Sequence, residues 1–384
     1  MIAYNIEGLK HLLIRQQASD AFDQQLLEKP ELDDINKKYP SFFYTPNFFI
    51  RIGLFLLTVI ILLFSFGLFT LLFLNSIENT IGGLAIFFGL VSYGGLEYMV
   101  QTKKHLQSGV DDALMWIAAG SFFGGISFLF NAGGLANSFL VCIIAGYCSL
   151  RFADRLMTVV CYVALLGVLF FACVRMGPVA KAVVPFVIMV IALIVYFLAK
   201  KIGRMRTNLL YYNCLQLLTV AALLSFYFAG NYYVVRELSA AMFNLGLADN
   251  TPIPMGWLFW MFTTIIPLVY ILLGIQQKDI LLIRVGLVLV AAIVFTTRYY
   301  YAFASIEPLM TICGACLILI SYGLTKYLKT AKFGFTNAEI VGGEQENLQL
   351  EALLQAQTFT TPTVADGTRF GGGSFGGGGS SGEF

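Results

Sequence analysis

Charged side chains inside apolar stretches are the residues of this sequence best placed to do chemistry. Glu97 lies in the run Gly94–Tyr98, and Arg284 lies roughly one helical turn inside a later apolar stretch. A charge within a bilayer is costly and often marks an ion or proton pathway. Glu97 could pair with Arg284 or with Arg51. Neither charge is at the middle of its stretch, so a structural ion pair near the membrane surface is favoured over an ion-coupled site.

A second candidate site lies where two apolar stretches are joined by a short loop. Arg298 begins a run that continues with three tyrosines, and Glu307 follows at the start of the next apolar stretch. The two charges flank one tight loop, so they could meet and form the rim of a site for an anionic ligand. Tyrosines also gather at membrane–water interfaces, and this aromatic-belt interpretation is the favoured one.

The remaining reactive side chains suggest no further chemistry. All seven cysteines lie in apolar stretches, where we expect them to pack as small apolar residues rather than form disulfides. Cys313 and Cys316 have CxxC spacing, but no histidine lies near them in the sequence. Asp111 and Asp112 precede an apolar stretch and are expected to cap its helix. Because no phosphate-binding loop, zinc-protease motif or hydrolase motif occurs, the sequence predicts a non-enzymatic protein without cofactor or metal.

These residues are set in a chain dominated by apolar stretches. Of its 384 residues 58% are hydrophobic and 12% are charged, against about 25% charged in soluble domains. Ten stretches reach the length of about 20 residues that a membrane crossing needs. The sequence therefore predicts an all-α polytopic transmembrane bundle. The predicted spans are 48–74, 81–100, 113–130, 134–152, 156–174, 179–199, 209–229, 255–275, 280–297 and 308–327.

The positive charges between these stretches predict the orientation. With the N-terminus in the cytoplasm, all but four of the 24 Lys and Arg residues lie in or beside cytoplasmic segments. An even number of spans then places both termini in the cytoplasm. We expect a bacterial inner-membrane protein whose main partner is the lipid bilayer, and the net charge of +2 without a basic stripe argues against nucleic acid. The four exceptions are Arg175, Lys181, Arg236 and Arg298.

The segment before the first span predicts a small cytoplasmic head, residues 1–47. Apolar residues at helical spacing indicate a helix from Ile6 to Leu27 that Pro30 ends, and a second helix from Leu32 to Tyr39. Two short helices bury too little surface to fold alone. We therefore expect the head to dock on the membrane domain or on a partner protein.

Three further segments have distinct patterns. Residues 234–247, in the longest external loop, predict an amphipathic helix on the membrane surface. Residues 328–357 predict a cytoplasmic linker with a short helix. Residues 358–384 are rich in Thr and then in Gly, which predicts a disordered tail. We expect the tail, like the head, to recruit protein partners.

Several runs of residues resemble those of known proteins. The polar head followed by Tyr39–Gly53, the run Gly109–Trp116, the run Arg298–Tyr301 and the many short-looped spans together resemble uncharacterised bacterial polytopic membrane proteins. The tail Phe370–Phe384 is similar to the C-termini of bacterial TPM-domain membrane proteins. The chain lacks a TPM domain, so that resemblance implies no activity. Glycine-rich tails also arise as engineered linkers.

Two functions remain open from the sequence. The favoured one is a non-enzymatic membrane protein that acts as a scaffold or envelope-associated module. The alternative is a secondary transporter, because ten spans divide into two sets of five that would form an inverted repeat. However, 48–174 and 179–327 show no clear sequence match, and no carboxylate lies at mid-membrane. Gly120 and Gly124 have a GxxxG spacing that predicts close helix packing rather than a broken helix.

Overall fold

The computed structural model describes residues 2–23, 26–72, 77–175, 180–243 and 255–300, together with isolated positions between 311 and 326. Within these residues the regular secondary structure is helical, with short non-helical connections between helices, and the one β-type pairing is a single bridge between Tyr44 and His105. The all-α polytopic fold predicted from the sequence is confirmed.

Nine of the described helices are long and apolar enough to cross a membrane. They begin and end within a few residues of nine of the predicted spans, so the chain is a multi-pass integral membrane protein. The tenth predicted span, 308–327, lies outside the described residues apart from isolated positions. The nine helices are α3 (Phe48–Leu72), α4 (Ile77–Gln101), α5 (Val110–Phe130), α6 (Gly134–Phe152), α7 (Arg155–Val174), α8 (Ala180–Gly203), α9 (Tyr212–Gly230), α11 (Gly256–Gln277) and α12 (Ile280–Tyr300).

Eight of these helices pack as four antiparallel hairpins. The pairs α4–α5, α6–α7, α8–α9 and α11–α12 form the most extensive helix contacts, and α3 packs mainly on α5. The connections within the hairpins meet at one end of the bundle, which we call the head end. There Tyr211, in the turn between α8 and α9, donates a hydrogen bond of 2.6 Å to the Leu150 carbonyl of α6. Lys200 of α8 forms a 2.9 Å salt bridge with Asp279, between α11 and α12.

Glycines allow the two helices of a hairpin to approach closely. A Cβ added at Gly125 of α5 would lie 2.7 Å from the Gly82 carbonyl oxygen of α4. A Cβ at Gly274 of α11 would lie 2.6 Å from the Ile283 side chain of α12. At Gly120 and Gly124 an added Cβ would meet no atom of the described residues within 4 Å. The predicted GxxxG pair is therefore not where α5 meets its neighbour, because Gly124 lies on a different side of the helix from Gly125.

The head contains two helices, with boundaries that differ from those predicted. Helix α1 spans Ile6–Asp23 and helix α2 spans Lys29–Lys38. Pro30 does not end the first helix; it lies in the first turn of the second. A first-turn residue has no carbonyl partner for its N–H, so proline is tolerated there. The Glu31 carboxylate accepts a 2.9 Å hydrogen bond from the backbone N–H of Glu28 at the start of α2.

The head docks on the head end of the bundle, which is one of the two arrangements that the sequence left open. The backbone N–H of Ala3 donates to the Arg151 carbonyl at the end of α6, at 2.9 Å. Tyr4 is buried and packs edge-on against Phe152, with ring centroids 6.4 Å apart. The backbone N–H of Tyr44, which follows α2, donates to the Lys104 carbonyl between α4 and α5 at 3.0 Å. These contacts fix the head to two hairpins and not to one helix alone.

A short helix, α10 (Tyr232–Phe243), lies at the opposite end of the bundle and covers most of the predicted amphipathic helix over 234–247. Residues 244–254, which include the end of that predicted helix, lie outside the described residues. Asn231, directly before α10, donates to the Tyr227 hydroxyl at 3.0 Å and to the Thr296 hydroxyl at 3.1 Å. Its amide oxygen also accepts from the Val234 N–H at 3.2 Å. This buried asparagine therefore ties α10 to α9 and α12.

Candidate functional site

Glu97 is the centre of a hydrogen-bond network at the head end. Arg151 of α6 contacts both of its carboxylate oxygens, with Nε to Oε1 at 2.9 Å and Nη2 to Oε2 at 3.1 Å. Tyr93 donates to Oε1 at 2.6 Å and Gln101 donates to Oε2 at 2.5 Å. Tyr93, Glu97 and Gln101 are four residues apart on α4, which places them on one face of the helix. The network ties the first hairpin to the second.

The predicted partners of Glu97 were wrong. Arg284 lies exposed on α12, in the last described hairpin, while Glu97 lies on α4 and pairs with Arg151. Arg51 of α3 pairs instead with Asp112 of α5, with Nη2 and Oδ2 2.6 Å apart. The reason is the packing order: α3 packs mainly on α5, so the cation at its start meets α5 before α4. Position in the sequence alone did not show which arginine would pair with Glu97.

The start of α5 is built around a glycine with positive φ. Gly109 has φ +92°, and a Cβ there would lie 2.2 Å from the Arg51 carbonyl oxygen of α3. Asp111 is buried and accepts from the Ser108 N–H at 2.8 Å and from the Ser108 hydroxyl at 2.9 Å. The two adjacent carboxylates therefore have different roles. Asp111 folds back on the residues before α5, and Asp112 binds Arg51.

Four carboxylates act electrostatically on Tyr4, those of Glu97, Asp111, Asp112 and Asp154. Together with Arg51 and Arg151, we call them the acid–arginine cluster. Burial, together with the negative charge of the four carboxylates, raises the pKa of the Tyr4 hydroxyl well above its ordinary range. The phenol therefore stays neutral at any physiological pH. The N-terminal segment thus places an uncharged side chain where a further anion would be repelled by the four carboxylates.

Asp154 completes the cluster at the turn between α6 and α7. Its carboxylate accepts a 2.7 Å hydrogen bond from the Met157 N–H and caps α7. Burial raises the pKa of Asp154, and the hydrogen bonds from the backbone of Met157 and Leu156 oppose that rise. Each carboxylate of the cluster thus has its own hydrogen-bond donor. Among the described residues, no three His, Cys, Asp or Glu side chains are grouped so as to hold a metal ion.

Of the predicted pair Arg298 and Glu307, only Arg298 is among the described residues. Arg298 lies half-buried in the last turn of α12, while Glu307 lies outside the described residues. Tyr299, next to Arg298, packs edge-on against Tyr233 of α10 with ring centroids 4.8 Å apart. Tyr300 packs against Tyr232 at 5.1 Å. The meeting of Arg298 with Glu307 stays a prediction.

Two contacts in the described spans were missed by the sequence interpretation. Arg151 was counted only as a loop charge that sets orientation, although its place in the last turn of α6 gives it reach to a neighbouring helix. Cys142 of α6 and Cys161 of α7 were taken as separate packing residues, but their sulfurs are 3.9 Å apart. The short connection between α6 and α7 was the available signal, because it forces an antiparallel register.

Comparison with known proteins does not extend these observations. No protein-family model matches the chain, and it has no significant match among curated proteins or solved structures. The head and the acid–arginine cluster are therefore the features of the molecule that bear on its function.

Proposed function

We propose that this chain is a non-enzymatic membrane scaffold whose head presents a binding surface for partner proteins. The observation that carries the proposal is the fixed docking of the head on the ends of the membrane helices. The Ala3 N–H donates to the Arg151 carbonyl, and Tyr4 is buried with its ring against Phe43 and Phe152. A head held in one position offers a partner a surface that needs no further ordering on binding.

The outward side of the head is helix α2, and it has the composition of a solvent-facing surface. No residue of α2 is buried. Its Asp34 and Lys37 form a 3.6 Å salt bridge in which both side chains are more than two-thirds exposed. Arg15 of α1 donates to the Asn36 side chain at 2.9 Å and holds α2 against α1. The charged face of α2 is therefore both accessible and fixed in direction.

The contacts of the spans favour this role over a secondary transporter. The Glu97 carboxylate is neutralised by Arg151 at one end of the bundle instead of facing a mid-membrane cavity. An inverted repeat of five spans would give equivalent helices equivalent neighbours. The first helix of the first set, α3, packs mainly on α5, whereas its counterpart α8 packs on α9. The described helices therefore do not support the five-plus-five arrangement.

We further propose a bacterial inner membrane as the location, with both termini in the cytoplasm. The positive charges at the connections between the paired helices support this orientation. The resemblance of Tyr39–Gly53 to uncharacterised bacterial membrane proteins agrees with it. The glycine-rich tail, in a segment outside the described residues, is proposed as a second element that recruits partners.

Site-specific crosslinking in intact cells tests the scaffold role. A photoreactive amino acid at Asp34 of α2 should give one or a few distinct protein adducts. The same group at Ala18, which is buried within α1 of the head, and at Val163, which is exposed on a membrane span, provides matched controls. Absence of adducts from Asp34, combined with solute uptake by the purified protein in vesicles, would favour the transporter instead.

A further inference from the structure

The facing surfaces of α6 and α7 are lined by small and hydroxyl-bearing residues. Near the head end, the hydroxyls of Ser149 and Thr158 are 2.6 Å apart. Near the other end, a Cβ added at Gly167 of α7 would lie 3.0 Å from the Ser138 hydroxyl of α6. The two helices thus stay close along their whole length, and we call this contact the α6–α7 seam.

Two thiols face each other in the middle of the seam. The sulfurs of Cys142 and Cys161 are 3.9 Å apart, and the Cys161 thiol donates to the Cys142 carbonyl at 3.5 Å. Gly146 lies one turn further along α6, where an added Cβ would be 3.3 Å from the Cys161 sulfur. A disulfide joins sulfurs about 2.05 Å apart. The two sulfurs are in contact, and bond formation must therefore bring them about 1.9 Å closer.

The other described cysteines have different surroundings. Cys214 donates its thiol to the Ala153 carbonyl at 3.0 Å, and Cys148 is buried in the core at the head end. All five described cysteines are free thiols. Among them, only Cys142 and Cys161 have their sulfurs in contact.

The seam can be reached from the lipid phase. An open groove of about 450 Å³ lies between α5, α6 and α7. Its lining includes Ser138 and Gly167 of the seam and Val163, which is exposed. Cys142 and Cys161 do not line the groove themselves; they lie next in sequence to Val141 and Val160 of its wall, and both are half-buried. The lining is mainly apolar and lies within membrane spans, so an oxidant that uses this route must dissolve in lipid.

We propose that Cys142 and Cys161 form a redox-active dithiol that a lipid-soluble quinone oxidises to an intramolecular disulfide. In this reaction two S–H bonds break and one S–S bond forms. The two electrons and two protons reduce the quinone to its quinol, so one quinol is produced for each disulfide. The site is independent of the head and of the proposed scaffold role.

The test uses the full chain, purified with reduced thiols and reconstituted into phosphatidylcholine vesicles. The oxidant is tetramethylbenzoquinone, which has no free ring position for thiol addition. After oxidation the protein is denatured, its free thiols are alkylated, and its peptides are analysed by mass spectrometry. We expect a several-fold rise in a Cys142–Cys161 linked peptide over quinone-free vesicles, with a matching amount of quinol measured by absorbance.

Variants and a second oxidant make each outcome decisive. Cys142→Ser and Cys161→Ser should each abolish the linked peptide while keeping the parent's thermal unfolding midpoint, and Cys173→Ser on α7 should leave the peptide unchanged. Copper–phenanthroline reports proximity alone. A linked peptide with copper–phenanthroline but not with the quinone would overturn the redox role. Its absence with both oxidants, or pairing through other cysteines, would overturn the site itself.

Discussion

The Arg151 guanidinium donates hydrogen bonds to both carboxylate oxygens of Glu97, at 2.9 and 3.1 Å. This pair joins α6 to α4, which belong to different hairpins. Arg151 also accepts the Ala3 N–H on its backbone carbonyl. One position on α6 therefore connects the membrane helices to each other and to the head. The side chains are 28% and 18% exposed for Arg151 and Glu97 respectively, so the pair is only partly screened by solvent.

Replacing both partners of this pair should cost less stability than the two single replacements added together. Glu97→Gln leaves the Arg151 guanidinium without its counter-charge, and we expect a loss of about 1–3 kcal/mol in the free energy of unfolding. The double variant Glu97→Gln/Arg151→Gln should lose less than the sum of the single variants. Reversible unfolding of the detergent-solubilised protein measures both. Additive losses would show that the two side chains do not interact.

Loss of the Tyr4 ring should release the head while the spans remain folded. Tyr4→Ala removes the ring that packs on Phe43 and Phe152, so we expect much faster proteolysis within α1 and α2. Tyr4→Phe keeps the ring and should behave as the parent does, because the hydroxyl is neutral. Limited proteolysis in detergent, with the cleavage sites read by mass spectrometry, provides the measurement. Equal cleavage of all three proteins would mean that Tyr4 does not hold the head.

Neighbouring glycines on α5 should respond differently to the same substitution. Gly125→Ala places a Cβ 2.7 Å from the Gly82 carbonyl oxygen, so the α4–α5 hairpin must open. We expect a cost of about 1–3 kcal/mol. Gly124→Ala meets no atom of the described residues within 4 Å and is expected to change stability by less than about 0.5 kcal/mol. Thermal unfolding midpoints of the two variants compare them directly, and the reverse order would contradict the described register.

The carboxyl of Asp154 should make stability depend on pH. Its pKa is raised in the folded protein by burial, so the folded state binds the proton more tightly than the unfolded state does. Its stabilising contribution is then present below the unfolded pKa of about 3.9 and is lost as pH rises through the folded value. Asp154→Asn keeps a capping side chain but removes the charge.

We therefore expect the thermal midpoint of Asp154→Asn, relative to the parent, to rise modestly from acid to neutral pH. Unfolding scans at a series of pH values follow this difference. A variant that becomes relatively less stable at neutral pH would show that the capping hydrogen bond to Met157 outweighs the cost of burying the charge.

The sequence predicted the spans well because hydrophobic length is a local property. Nine predicted spans match described helices since each is a long apolar run bounded by polar residues. The partner of Glu97 was not predictable in the same way, because Arg51, Arg151 and Arg284 all satisfy the charge requirement. Only the packing order of the helices distinguishes them. Pro30 was misassigned because proline breaks a helix interior but fits a helix start.

Small-residue spacing was likewise an incomplete guide. Gly120 and Gly124 fit the GxxxG pattern, yet Gly125 is the residue against which α4 packs. The GxxxG pattern shows which residues share one face of α5. It does not show on which side of α5 the neighbouring helix packs. The contact between Cys142 and Cys161 depends on the same information, namely the register in which α6 and α7 lie side by side.

The four hairpins have a consequence for how such a chain can change in length. Each hairpin enters and leaves the membrane at the end opposite the head, and its two helices bury their shared surface against each other. Gain or loss of one whole hairpin would therefore leave every remaining span in its original direction. In proteins of this architecture that differ by two spans, each end of the chain should stay on the side of the membrane where it was before. The number of spans can therefore change in evolution without moving the segments attached to them.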